Sequence, residues 1–220
     1  MAGACTALVP ELVGVYVHGS AALGGFGPAS DLDVLVVAAS EAEWRRLAGR
    51  LLADCGQPRP LELSVVDASA CAHPARPWPY LLHVNSGESR FSLDPGAGDP
   101  DLIAHYAVTR TAGITIIGPP AVDVFGAVVR DELVSYLRHE LGWATDSADQ
   151  RYAVLNACRA VAYAEEGVLL SKPDGARWWL RRFGPEPLVE DALLAQESGR
   201  DLGPCSGQAR SFVSGRIEQL

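Results

Sequence analysis

Two aspartates, Asp31 and Asp33, stand two residues apart just ahead of the apolar run Val34-Leu35-Val36-Val37. Residues i and i+2 of a strand project from one side, so this spacing predicts both carboxylates on one face. Side by side on a buried strand they repel and lose hydration, unless a cation lies between them. Magnesium suits such a pair, because it takes a few carboxylate oxygens and completes its shell with substrate phosphate. Upstream sits His18-Gly19-Ser20, and Ser30 adjoins the first aspartate. Gly19 and Ser20 offer phosphate oxygens two backbone N–H groups, a small profile and a hydroxyl. No Gly-Lys-Ser/Thr follows the glycines of the intervening bend, which excludes a Walker-type phosphate loop. The competing structural reading is a hairpin with a solvent-facing Asp-x-Asp.

These residues need strands to hold them. Val13-Gly14-Val15-Tyr16-Val17 is β-prone and delivers His18-Gly19-Ser20 to a strand end. Leu61-Glu62-Leu63-Ser64-Val65-Val66 alternates as a half-buried strand should, with Glu62 its one acidic member. Between them, Glu41 to Cys55 repeats apolar residues at helical spacing from Trp44 to Leu52, with Ser40 as expected N-cap and a break from Gly56 to Pro60. The segment from Asp67 to Gly98 is rich in glycine and proline and predicts an irregular excursion. In it, Trp78, Tyr80 and His83 fit either a pocket rim or loop packing. Asp99 or Asp101 caps a helix running to Thr109 or Arg110, and Ile114 to Ile117 reads as a last strand.

Gly118-Pro119-Pro120 marks a change of pattern: β-prone runs stop and helical periodicity takes over. The expected domains are therefore 1–118 and 119–220. In the second, helices are predicted over Asp131 to Gly142, over Asp149 to Glu166 with Gly167 closing it, from a Ser171 cap, and over about 185–197 and 204–220. Tyr152, Asn156 and Arg159 share one face of the second of these. An arginine amid such apolar neighbours needs an anion, either a protein carboxylate or a nucleotide phosphate. Lys172, at a helix start where the dipole disfavours cations, needs one too. Together they predict a cationic clamp on a triphosphate.

The net charge of −9 over 220 residues argues against a nucleic-acid-binding surface and suits a cationic small substrate. No secretory leader or membrane-spanning run is read, and five scattered cysteines predict free thiols in a reducing cytoplasm.

The Gly-Ser, glycine-bearing spacer and Asp-x-Asp strand resemble the nucleotidyltransferase superfamily related to DNA polymerase beta. Taken with Tyr16 to Ser20, Ser30 to Asp33, Leu61 to Val66, Val154 to Arg159 and Ser171-Lys172, the chain is similar, in order and over nearly its whole length, to the streptomycin/spectinomycin adenylyltransferases. That resemblance implies an α+β protein: an N-terminal mixed sheet with helices, then an all-α bundle. It implies ATP as co-substrate, two Mg²⁺ ions on Asp31 and Asp33, and nucleotide contacts from Gly19, Ser20 and Ser30. Glu62 becomes the base for the acceptor hydroxyl, which attacks the α-phosphorus in line and releases pyrophosphate. Arg159 and Lys172 reach the ATP phosphates. Asp149 contacts a cationic acceptor, an aminoglycoside, with Trp143 and Asp146 as counterparts of further drug contacts at shortened spacing. Glu140 and one of Trp178 or Trp179 are added to that acidic pocket on residue type. A family tryptophan in the loop after the glutamate strand has no equivalent around Ser86 to Phe91. The same chemistry on another acceptor (a biosynthetic intermediate or a protein hydroxyl) and a degenerate nucleotide-binding regulator are the alternatives. No nucleic acid and no membrane is expected as partner.

Overall fold

The computed structural model describes residues 1–220 apart from 28, 29, 56, 57 and 95. The chain runs α1 (Ala2–Leu8), β1 (Leu12–Val17), α2 (Gly19–Ala22), β2 (Leu32–Ala38), α3 (Trp44–Asp54), β3 (Leu61–Asp67) and α4 (Ala68–Ala72). It continues through β4 (Leu82–Asn85), β5 (Arg90–Ser92), α5 (Leu102–Ala112), β6 (Ile114–Ile117) and α6 (Ala121–Val124). Then come α7 (Arg130–Ser147), α8 (Gln150–Glu166), α9 (Lys172–Phe183), α10 (Pro187–Ser198) and α11 (Gly207–Ile217). By their internal contacts they form two units: 1–22 with 30–128, and 129–220 with the segment that starts at Leu23.

In the first unit six strands form one mixed sheet in the order β5-β4-β3-β2-β1-β6. β2 and β3 pair in parallel, while the β1–β2, β1–β6, β3–β4 and β4–β5 ladders are antiparallel. Strand alternation splits the side chains between two layers. Val15, Val17, Val34, Val36, Leu63 and Val65 pack with Cys5 of α1 and with Trp44, Leu47 and Leu51 of α3. On the opposite face Tyr16 meets Phe125 edge-on at 5.2 Å, and Phe125 in turn meets Tyr106 of α5 at 5.5 Å. The Tyr16 hydroxyl donates to the Pro119 carbonyl at 3.0 Å, fixing the chain beyond β6.

The excursion read between Asp67 and Gly98 is more ordered than expected. Asp67 caps α4 by accepting from the Ser69 and Ala70 amides, and β4 and β5 form a hairpin on β3. Each strand is too short for periodicity to stand out, which is why the sequence reads as loop. Trp78 is buried against Tyr106, so it serves packing and not a pocket rim. α3 begins at Trp44 with no side-chain cap, so Ser40 does not cap it; Glu41 instead accepts from the Trp44 indole at 2.9 Å. The break placed at Gly56, together with Pro28, Ala29 and Pro95, lies outside the described residues.

In the second unit α8 is the central helix, with α7, α9, α10 and α11 packed on it. Ala153, Ala157, Ala160 and Ala162 keep it slim enough for close approach on several sides. Its ends are as read: Asp149 accepts from the Arg151 amide, and Gly167 closes it at φ 71°. Ser171 caps α9 by accepting from the Asp174 amide at 3.2 Å. Trp178 and Trp179 are both buried in this core, so neither lines a substrate pocket. α7 continues through Gly142 to Ser147, placing Trp143 and Asp146 on a helix. The two contact units part at Val128–Val129, later than the change of sequence pattern at Gly118-Pro119-Pro120. α6 packs on α4 and α5, and the Gly126 amide donates to the Cys71 carbonyl at 2.8 Å. No helix among the described residues is long and apolar enough to cross a membrane.

Candidate active site

Where β1 ends, His18 turns the chain by donating its amide to the Asp33 carbonyl at 3.0 Å. Gly19 follows at φ +59°, and a Cβ there would lie 1.8 Å from Oδ2 of Asp33. Only glycine meets both conditions. The next amide, Ser20 N–H, donates to the Asp33 carboxylate. The Gly-Ser turn is thus built against the second aspartate by main-chain contacts.

The β2–β3 register pairs Asp33 with Glu62, and Glu62 pairs with Asn85 of β4 on its other side. Partners in a parallel ladder project from the same face, about 4.8 Å apart at the backbone. Two carboxylates therefore flank each other on interior strands, and Glu62 is not an edge-strand residue. Burial pushes Asp33 up to about 6, His105 and the Ser20 amide oppose the rise, and the charges of Glu62 and Asp31 add to it. Asp31 is exposed and lies one residue before the first ladder residue of β2, not on the strand itself. Ser30 precedes it, half-buried.

Two histidines complete this corner. His18 is buried and its ring lies 4.8 Å from that of His105, a residue of α5. Burial, reinforced by His105, holds His18 well below the ordinary imidazole range, so it is neutral at physiological pH. One pair further along the face of Glu62, the Ser64 hydroxyl and His83 Nδ1 are hydrogen-bonded at 3.0 Å. His105 belongs to no motif in the sequence; its one signal is a histidine within the apolar stretch Leu102 to Val108.

Among the described residues no three His, Cys, Asp or Glu side chains form a group able to hold a metal alone. The donor set still fits magnesium. Asp33 is a half-buried carboxylate whose charge is opposed by desolvation, Glu62 and Asp31. Such a group is relieved by a divalent cation that fills its shell from substrate phosphate.

The residues read in the helical unit divide by engagement. Asp149 spends one oxygen capping α8 and the other accepting from the Leu202 amide at 2.8 Å. Asp146 pairs with Arg210 at 2.7 Å on the surface. Trp143 is 51% exposed and meets the Tyr152 ring edge-on at 6.1 Å. The Tyr152 hydroxyl donates to Glu140 at 2.7 Å, and Lys172 Nζ lies 4.3 Å from the Tyr152 ring centroid. Arg159 is covered along its stem by Gly175 of α9. Trp143, Glu140, Tyr152 and Lys172 thus form one contiguous group, whereas Asp146 and Asp149 serve other contacts.

Comparison with known proteins finds matches for both parts of the chain. Residues 2–66 match the model of the nucleotidyltransferase domain, and residues 123–202 match that of the aminoglycoside adenylyltransferase C-terminal domain. The chain is a nucleotidyltransferase. It is 29% identical to the aminoglycoside (3'') (9) adenylyltransferase of Escherichia coli, covering 94% of this chain and 86% of that protein. With the spectinomycin 9-adenylyltransferase of Staphylococcus aureus (strain Mu50 / ATCC 700699) it shares 27% identity over 76% of this chain and 70% of that one. Among solved structures, spectinomycin adenyltransferase AAD(9) from Enterococcus faecialis, crystallised with ATP and spectinomycin, has the same fold. It superposes with a TM-score of 0.73 at 17% identity, over 94% of this chain and 92% of that one. Within the nucleotidyltransferases, the chain is thus similar over most of its length to named aminoglycoside adenylyltransferases, and residues 123–202 match the C-terminal domain model of that family.

Proposed function

We propose that the chain transfers AMP from ATP to a hydroxyl of an aminoglycoside or aminocyclitol, such as spectinomycin or streptomycin, and releases pyrophosphate. The observation that carries this reading is the pairing of Asp33 with Glu62 on one sheet face, with the Gly19-Ser20 turn pressed on Asp33. A regulator that only senses nucleotide has no need of a base held beside a metal-binding acid. The names of the relatives supply the acceptor class.

In this reading the Glu62 carboxylate takes the proton of the acceptor hydroxyl as its oxygen bonds to the α-phosphorus. The bond from that phosphorus to the bridging oxygen breaks, and pyrophosphate leaves. Proton transfer of this kind is worth about 10²–10⁴-fold. Asp31 and Asp33 would hold Mg²⁺, which supplies neutralisation of triphosphate charge when bound. Gly19 and Ser20 seat phosphate oxygens, with Ser30 beside them. Arg159 and Lys172 belong to the same proposal as cations on the phosphates. For the acceptor, Trp143 with Tyr152 and Glu140 offers an aromatic surface beside a carboxylate, the pairing that suits an ammonium or guanidinium group. Asp146 and Asp149 keep their proposed drug-contact role only where their present partners are shared. A cytoplasmic setting fits ATP as donor and cysteines that are all free thiols.

The test is pyrophosphate release from ATP with magnesium and a panel of acceptors. Release dependent on spectinomycin or streptomycin is expected. Release with another acceptor alone would move the chain to a different substrate. ATP binding with no release from any acceptor would contradict the proposal.

A further inference from the structure

The helical unit holds a polar group that its own fold leaves unused. Asn156 lies on α8 one turn from Tyr152 and one turn from Arg159, so the three share a face. It is 8% exposed, and its Nδ2 has no hydrogen-bond partner among the described residues. Buried amides are nearly always paired, and one left unpaired forfeits its hydration without return.

The first turn of α9 lies over this face on both sides of Asn156. Lys172 sets its Nζ 4.3 Å from the Tyr152 ring centroid. Three residues on, Gly175 packs so closely that a Cβ would come 2.6 Å from Cγ of Arg159. The unpaired donor therefore sits between an arginine stem and a ring covered by a lysine. A donor one turn from Arg159, under the helix that starts with Lys172, suits an anionic oxygen better than a neutral hydroxyl, since directed donation adds to the attraction of charge.

Resting on the proposal that Arg159 and Lys172 take the phosphates of ATP, we infer that Asn156 is a third phosphate contact, donating from Nδ2 to a triphosphate oxygen. It supplies direction where the two cations supply charge.

Calorimetric titration of the full chain and of Asn156→Leu and Asn156→Asp, with ATP, inorganic tripolyphosphate and adenosine as separate ligands, tests this, with thermal unfolding measured alongside. Leucine has the same branching and the same number of side-chain heavy atoms without an unpaired donor, so Asn156→Leu should unfold no earlier than the parent. Asn156→Asp keeps the shape and turns a carboxylate toward the phosphate. ATP and tripolyphosphate should bind about tenfold or more weakly to Asn156→Leu and more weakly still to Asn156→Asp, with adenosine unchanged. If only one variant folds, that variant decides. Unchanged ATP and tripolyphosphate affinity in a folded variant overturns the assignment. A parent protein that binds neither ATP nor tripolyphosphate would defeat adenylyl transfer itself, and the role of Asn156 with it.

Discussion

Asp33 of β2 and Glu62 of β3 are direct partners in a parallel ladder whose register runs unbroken from Leu32–Leu61 to Ala38–Asp67. A slip of one residue would turn Glu62 toward the layer filled by α1 and α3. The separation between the acid read as a metal ligand and the acid read as a base is thus set by the hydrophobic pattern of two strands. Loop flexibility does not enter into it.

That position is costly without a cation. The folded chain holds the Asp33 proton up to about 6, against an ordinary value of 3.8. Between those values the native state binds more protons than the unfolded one, so this group's contribution to stability improves as pH falls from about 6 toward 4. Above pH 6 its ionised form opposes folding by on the order of 2–3 kcal/mol. Metal-free Asp33→Asn should therefore melt several degrees above the parent at pH 7.5, with the gap narrowing at pH 4.5. Magnesium should raise the melting temperature of the parent more than that of the variant. Calorimetric scans with EDTA and with magnesium check both, and an Asp33→Asn that melts below the parent at pH 7.5 speaks against it.

Gly19 and Gly24 separate two effects. Both have positive φ, +59° and +75°, but only at Gly19 would a Cβ strike anything, the Asp33 carboxylate. Gly24→Ala should lose about 1 kcal/mol from backbone strain and keep ATP binding. Gly19→Ala should lose more stability and bind ATP at least tenfold more weakly, because Asp33 must move. Denaturant unfolding and calorimetry on the pair would show it; equal behaviour of the two variants would remove the close approach from the account.

Much of this was legible in the residues alone. β1, β2 and β3 announce themselves by alternation and β-branched runs, and the Gly-Ser and Asp-x-Asp spacing brings the phosphate and metal reading with it. The parts that stayed hidden depend on partners distant in the chain. His105 matters because α5 lays it against His18, 87 positions earlier. β4 and β5 form because β3 already offers them an edge, not because Leu82-His83-Val84-Asn85 is a strong strand by itself. Asp31 falls just before the ladder because pairing starts at Leu32 with Leu61. The adjacent Trp178 and Trp179 can both be buried because α9 is enclosed by other helices, which a one-sided reading of the helix misses.

The cysteines give an independent check on the packing. Burial pushes the Cys5 thiol up to about 11 and Cys71 to about 12, and raises Cys158 and Cys205 as well. Cys55, half-buried at the end of α3, is the accessible one. Brief iodoacetamide treatment of the native protein at pH 8 should label Cys55 first by peptide mass spectrometry, with the other four labelled only after denaturation. Early labelling of Cys71 or Cys158 would mean that the sheet or the helical core is looser than described.

The most direct measurement is turnover and ATP affinity in Glu62→Gln, a substitution that keeps volume and hydrogen bonding but removes the proton acceptor. Transfer to spectinomycin or streptomycin should fall by about 10²–10⁴-fold or more, while calorimetry returns an ATP affinity close to that of the parent. Near-parental turnover in that variant would contradict the central claim, because the carboxylate beside Asp33 would then have no part in moving the proton.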